Sequence, residues 1–295
     1  MADAIRVLVR RGGTVEAVHE VHAVAVQDGA VVAEAGDGGL VTFIRSSAKP
    51  VQALPLARAR EDLDDRDLAI ASSSHLAEPA QLEAVRALLA KAPAREDELE
   101  CGPVDDPAAR VLHNCSGKHA GMLALCRARD WPSEGYRLPD HPVQQAARAE
   151  LAAAAGASGE ELLTAVDGCG AVTFALPLER MAHVFSRLER LDAGARVTAA
   201  MRAYPDLIRG SAAPDSTLMR ARPGWTAKGG AEGLMCAAGP GGLGVALKVA
   251  DGSSRAVGPA LAAFLAELGH PVDVLTVAPV LNSRGDEVGE VVTES

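Results

Sequence analysis

Both ends of this chain are written in short β-branched runs, while the long stretch between them carries its apolar residues at helical spacing. That split constrains the fold more than any single motif. Near the start, Ile5-Arg6-Val7-Leu8-Val9 reads as a strand and Gly12-Gly13 as a turn. Val21–Val26 and Ala30–Ala35 flank Asp28-Gly29, a strong hairpin signal because both central residues tolerate positive φ. Val41-Thr42-Phe43-Ile44 is a further short β run. After about residue 224 the character returns: Leu234–Ala238 and Gly244–Val249 read as paired strands, and Gly258 to Leu268 as a closing helix ended by Gly269. The economical architecture is an α+β fold, an α/β sandwich whose sheet is drawn from both chain ends around a helical middle. We expect one domain over residues 1–295, with the sheet from about 1–45 and 225–295 and the helical part from about 46–224.

Within the middle, Leu82, Val85, Leu88 and Leu89 mark a helix, and further helices are expected over residues 118–129, 143–155 (ended by Gly156) and 174–192. Pro50 suits the first turn of a helix, and Pro55 predicts a kink or a second start. Leu68-Ala69-Ile70-Ala71 is brief enough for a buried strand, though periodicity leaves helix open. Residues 91–110 are polar and proline-containing, which suggests a surface segment. With 48% hydrophobic residues but only 3% aromatics, the core must be built from Ala, Val and Leu in close helix packing.

Charge excludes some partners. A net charge of −10 and a pI near 5.3 leave no basic surface for nucleic acid. No segment offers the roughly 20 apolar residues of a membrane span. Met1-Ala2-Asp3-Ala4-Ile5-Arg6 lacks the pattern of a signal peptide, so a cytoplasmic protein is expected. The five cysteines, Cys101, Cys115, Cys126, Cys169 and Cys236, are odd in number and widely spaced, which fits reduced thiols or metal ligands better than a disulfide framework.

Four stretches carry reactive chemistry. Ser46 and Lys49 form S-x-x-K where a strand run gives way to a helical one; three residues apart on a helix they share a face. A lysine among apolar neighbours loses its proton near neutrality and can then activate a serine. Ser74 follows an apolar run and reads either as an emerging hydroxyl or as the N-cap of the next helix. Asn114-Cys115-Ser116-Gly117-Lys118-His119 crowds an amide, a thiol, a hydroxyl, an amine and an imidazole, while Asp167-Gly168-Cys169-Gly170 puts a second thiol on a tight turn. Two such thiols can share Zn²⁺, or one can simply be buried at a helix start. Lys228-Gly229-Gly230 opens the terminal strands, as a substrate-facing edge or as an ordinary turn. The placement of S-x-x-K and K-G-G resembles that of S-x-x-K and K-T-G in serine β-lactamases and penicillin-binding proteins.

Together the motifs resemble the asparaginase II family of rhizobial type, zinc-containing L-asparaginases. The matching pieces run in family order: R-G-G-T-V-E-A-V-H, R-S-S-A-K-P-V-Q-A-L-P, S-S-H-L-A-E, N-C-S-G-K-H-A-G-M-L, L-P-D-H-P-V-Q, V-D-G-C-G, D-S-T-L-M, A-K-G-G-A-E-G and N-S-R-G-D-E-V-G. The resemblance implies a serine β-lactamase/glutaminase-like fold and hydrolysis of L-asparagine to L-aspartate and ammonia. It implies two serine–lysine pairs, Ser46 with Lys49 and Ser74 with Lys228, and a zinc ion held by Cys115, Lys118 and Cys169. Arg45, His119 and Asp167 are read as substrate-binding or supporting groups, and a homodimer is expected by family analogy. The chain departs from the family pattern in two places. Ser72-Ser73 precede the second serine where Cys-Ala is common, and Ala212-Ala213-Pro214 stand where a glycine and an arginine are common. Two rival readings are a β-lactamase- or peptidase-like serine hydrolase and a non-catalytic zinc-binding module.

Overall fold

A computed structural model describes residues 3–104 and 109–294. The elements, in chain order, are β1 (Ile5–Arg11), β2 (Thr14–Gln27), β3 (Ala30–Ala35), β4 (Val41–Phe43), α1 (Lys49–Gln52), α2 (Leu54–Ala59), α3 (Asp65–Ala71), α4 (Pro79–Lys91), α5 (Ser116–Ala128) and α6 (Pro142–Ala155). There follow β5 (Leu163–Val166), β6 (Val172–Pro177), α7 (Leu178–Arg187), α8 (Gly194–Ala203), α9 (Pro205–Arg209), α10 (Pro214–Ala221), β7 (Thr226–Gly230), β8 (Leu234–Gly239), β9 (Leu243–Val249), α11 (Val257–Glu267), β10 (Val277–Leu281) and β11 (Glu287–Thr293).

The main sheet runs β10-β11-β1-β2-β9-β8-β7, with β3 also paired to β2. Both chain ends build it, and its pairings are antiparallel. The long β2 is the seam: Val21–Val26 aligns with Val249–Gly244 of β9, which stitches the N-terminal strands to the C-terminal ones. Ala23, Val24, Ala25 and Val26 are buried consecutively, the signature of a strand covered on both faces. Helix α7 packs on β9, β2 and β8, and α11 on β1, β9, β10 and β11. Small residues let this happen. A Cβ on Gly244 would lie 2.0 Å from the Ala182 carbonyl oxygen, so α7 sits directly on the backbone of β9.

The helical middle contains elements that sequence periodicity left open or misassigned. Leu68–Ala71 is the end of α3, started by a reciprocal cap in which the Asp64 and Asp67 carboxylates each accept the other's backbone N–H. Residues 174–192 are not one helix. Val172–Pro177 is the central strand of a second sheet, β4-β6-β5, and the helix begins only at Leu178. Thus β4 pairs with the middle of the chain rather than with the main sheet. Pro55 does start a second helix after α1, and Gly156 ends α6 with φ +65°. The stretch from 91 to 110 is only partly a surface segment, since Leu99 and Cys101 are buried; its residues 105–108 lie outside those described. No helix among the described residues is long and apolar enough to cross a membrane.

Candidate active site

The site begins where β4 ends. Ile44 N–H donates to the Phe174 carbonyl at 2.8 Å, and the chain then tightens into a 3₁₀ turn over Arg45–Ala48. Arg45 opens that turn at φ +48°, a conformation that costs a non-glycine residue of order 1 kcal/mol and persists only where neighbours enforce it. Here the neighbour is Asp167, whose carboxylate takes Arg45 Nε at 2.7 Å in a partly buried ion pair. Ser46 follows, half-buried, and its hydroxyl makes no hydrogen bond among the described residues. One turn later Lys49 starts α1, almost wholly buried.

Lys49 makes no hydrogen bond to Ser46 among the described residues. Its Nζ lies 2.9 Å from Ser74 Oγ and 3.3 Å from Cys115 Sγ, and donates to the Ser73 carbonyl. Ser74 is not a helix cap, since α4 is capped by Glu78. It lies in an extended stretch after α3, clamped by two neighbours: Ser74 N–H donates to the Ile208 carbonyl at 2.8 Å, and His75 N–H to that of Asn114 at 3.1 Å. Close packing of α5 on α3 sets this clamp, because a Cβ on Gly117 would lie 2.2 Å from the Ile70 carbonyl oxygen. The hydrogen-bonded serine–lysine pair is therefore Ser74 with Lys49, not Ser46 with Lys49 or Ser74 with Lys228.

Lys228 approaches from the edge strand β7, fully buried. Its Nζ donates to the Gly229 carbonyl at 2.6 Å and lies 3.8 Å from Asp215 Oδ2. Burial pulls its pKa from 10.5 to about 7, against the opposing pull of Asp215. Ser47 Oγ donates to the Lys228 carbonyl at 2.8 Å, tying the S-x-x-K turn to the strand. Asp215 itself accepts Gly229 N–H at 3.0 Å and Ser216 N–H at 3.1 Å. Sequence reading placed D-S-T-L-M among the motifs without giving Asp215 a role, because an acidic residue at a helix start has an ordinary explanation.

The two distant thiols do converge. Cys115, at the start of α5, and Cys169, on the turn before β6, are close enough to share a hydrogen bond, which pulls the Cys115 thiol well down and pushes the Cys169 thiol up. Lys118 Nζ lies 3.1 Å from Cys169 Sγ. Burial alone would discharge this lysine, but the two sulfurs and Asp167 hold it above the ordinary lysine range. Lys49 has fewer anionic neighbours and is lowered, first by burial. Among the described residues no three His, Cys, Asp or Glu side chains converge as a metal cluster. The two sulfurs are donors that Zn²⁺ takes, and Lys118 could join them only after losing the proton that they hold on it. His119 is buried beside this group, with Nδ1 2.8 Å from the Tyr136 hydroxyl and a buried Nε2 that has no partner. Burial holds its imidazole neutral.

Comparison with known proteins gives a family. The model of the family described as L-asparaginase II matches residues 7–293. No curated protein matches the chain. Among solved structures, the chain is similar to a probable glutaminase from Bacillus subtilis complexed with 6-diazo-5-oxo-L-norleucine, with 15% identity over 85% of each chain and a TM-score of 0.39. A Bacillus glutaminase is similar at 13% identity, covering 85% of this chain and 92% of the other, with a TM-score of 0.39.

Proposed function

We propose that this chain, which belongs to the L-asparaginase II family and so to the amidohydrolases, cleaves the side-chain amide of L-asparagine to give L-aspartate and ammonia. The observation that supports a serine–lysine route is the 2.9 Å contact between Lys49 Nζ and Ser74 Oγ in a dry environment that disfavours the ammonium. An uncharged amine there can accept a hydroxyl proton, which an ordinary lysine at neutral pH cannot.

The two hydroxyls divide the work by accessibility. A nucleophile has to reach a substrate carbon, whereas a relay has only to reach the base. Ser46 is half-buried and uncommitted, while Ser74 is 2% exposed and already bonded to Lys49. In this reading Ser46 Oγ attacks the amide carbon, and its proton passes to the Ser74–Lys49 pair. The C–N bond breaks as that pair returns the proton to the departing ammonia. Water then attacks the Ser46 ester, again deprotonated by the pair, and releases aspartate. Lys228, titrating near neutrality beside Asp215, supplies a second exchangeable proton at the strand edge. Arg45, held by Asp167, fixes the turn that presents Ser46. Cys115, Lys118 and Cys169 would hold Zn²⁺, which when bound supplies a fixed positive charge that braces the base of the site.

Ammonia release from L-asparagine and L-glutamine, measured on wild type, Ser46→Ala and Ser74→Ala, tests this. Both variants should lose at least about 10³-fold in kcat/KM. Intact mass after rapid quenching should find the acyl adduct on the Ser46 peptide. An adduct on Ser74 would reverse the two roles, and a folded wild type that releases ammonia from neither amide would overturn the amidase reading.

A further inference from the structure

We propose that Arg209 is the anchor for the substrate's α-carboxylate, so that the site takes ω-amides of amino acids and rejects amides without a carboxylate. This rests on the amidohydrolase reading above and adds a specificity residue that neither the motifs nor the family match assigns.

Arg209 ends α9 on the wall of an open cleft of about 210 Å³, shared with Asp215, Gly229, Gly230 and Met235. Its position is set by the catalytic clamp, because the preceding residue, Ile208, provides the carbonyl that holds Ser74 N–H. Gly210 follows at φ +91° and turns the chain away. The Arg209 backbone therefore directly follows the residue that fixes Ser74.

Its pairing is the unusual feature. Among the described residues, the arginine side chains with neither a hydrogen bond nor an ion pair are those of Arg129, Arg209 and Arg284. Arg129 and Arg284 are exposed and solvated, whereas Arg209 is partly withdrawn from solvent. Asp215 is the nearby acid, but it forms no ion pair with Arg209, and its oxygens already accept two backbone N–H groups. The charge of Arg209 is felt across the cleft, where it helps depress Lys228. Asp215 is paired with Lys228 and Lys49 lies against Cys115, so Arg209 is left without an anion of its own, and a guanidinium with free N–H groups matches a carboxylate in two parallel hydrogen bonds.

The floor is shaped for it. An added Cβ on Gly229 would stand 3.9 Å from Arg209 Nη1 and 3.3 Å from Asp215 Oδ2, and one on Gly230 would stand 3.1 Å from Ser47 Oγ. Gly229 keeps the Arg209 side of this strand end bare and Gly230 the side of the turn that carries Ser46, so a small molecule at the edge can meet both. A small amino acid laid along that strand edge directs its carboxylate to Arg209 and its side-chain amide to the serines.

The test compares L-asparagine with 3-aminopropanamide, the same amide without the carboxylate, on wild type, Arg209→Met and Arg209→Lys, with L-aspartate binding followed by calorimetry. Wild type should favour asparagine, and Arg209→Met should lose roughly 10- to 100-fold in kcat/KM on asparagine, chiefly through KM. On 3-aminopropanamide the same variant should lose far less, no more than removing a charge that depresses Lys228 costs; it should bind L-aspartate correspondingly weakly, and Arg209→Lys should recover part of the loss. Equal losses on both amides, or unchanged aspartate binding, would overturn the assignment while leaving the amidase reading intact. Arg209-dependent aspartate binding in a wild type that hydrolyses neither amide would support the anchor while removing the proposed reaction.

Discussion

Replacing Lys228 by methionine should make the protein more stable at neutral pH while abolishing its chemistry, and the size of the gain should depend on pH in a calculable way. Lys228 is fully buried and its pKa falls from 10.5 in the unfolded chain to about 7 in the fold. Between those values the unfolded state binds the extra proton, so wild-type stability rises with pH across that window. Below pH 7 the full shift opposes folding, a cost of about 5 kcal/mol at 1.36 kcal/mol per unit. At pH 7 it is about 4 kcal/mol, at pH 9 about 2 kcal/mol, and above 10.5 it vanishes. Lys228→Met removes this titration and keeps the volume. It also leaves the Gly229 carbonyl without its amine donor, which takes back about 1–3 kcal/mol at every pH. The absolute gain is therefore modest, but the wild-type-to-variant difference must shrink by about 2 kcal/mol from pH 7 to pH 9. Ionisable groups that do not feel Lys228 cancel in that difference. Urea unfolding followed by the fluorescence of buried Trp225 reads it as a midpoint separation that narrows by about 1 M. A separation that stays the same at both pH values would mean that Lys228 remains charged in the fold, and its role as a proton carrier near neutrality would fall with it.

The same titration predicts that ammonia release in wild type falls as pH drops below about 7, because the amines must be uncharged to accept a proton; a rate flat from pH 5 to 8 would contradict it. Cys169→Ser removes one of two soft donors, so metal analysis of purified protein should find zinc reduced from about one per chain in wild type to near none; full retention would take Cys169 out of the metal site. Gly117→Ala should destabilise by about 1–3 kcal/mol and lower activity at temperatures where the variant is still folded, because its Cβ would press on the Ile70 carbonyl just ahead of Ser74. Unaltered kinetics in the folded variant would show that the α3–α5 spacing does not position that serine.

What could be read in the sequence, and what could not, divides along one line. Features encoded by neighbouring residues were legible: the hairpin at Asp28-Gly29, the helix stop at Gly156, the second start at Pro55. So was the convergence of Cys115 and Cys169, but only through the family resemblance, since their spacing follows no local metal pattern. Boundaries where apolar residues run on across the break were not. Val172–Pro177 runs into an amphipathic helix with Leu176 and Leu178 on either side of Pro177, so the apolar pattern hides the point where period two becomes period 3.6. The hairpin of Val277–Leu281 and Glu287–Thr293 was missed; Pro279 argues against a strand, yet β10 is a sheet edge, where a missing N–H is tolerated.

The site follows the same logic at longer range. S-x-x-K spacing puts Ser46 and Lys49 on one face of a turn, but it cannot say which other chain segment arrives on that face. Here it is the extended stretch of Ser74, and the amine binds the newcomer. Asp215 and Arg209 were invisible for the complementary reason. Each has an unremarkable local explanation, as the acid in a helix's first turn and the base in a helix's last. Their significance comes from what the fold does to them: Asp215 loses its water and braces β7, while Arg209 is withdrawn without gaining a partner. The chemistry of this site is set less by which ionisable residues are present than by how unequally the fold compensates them. Lys118 receives two sulfurs and a carboxylate and keeps its proton, while Lys49 and Lys228 are buried with less negative charge and are driven toward the uncharged form. In that inequality, one lysine keeps its charge and two are suited to moving protons.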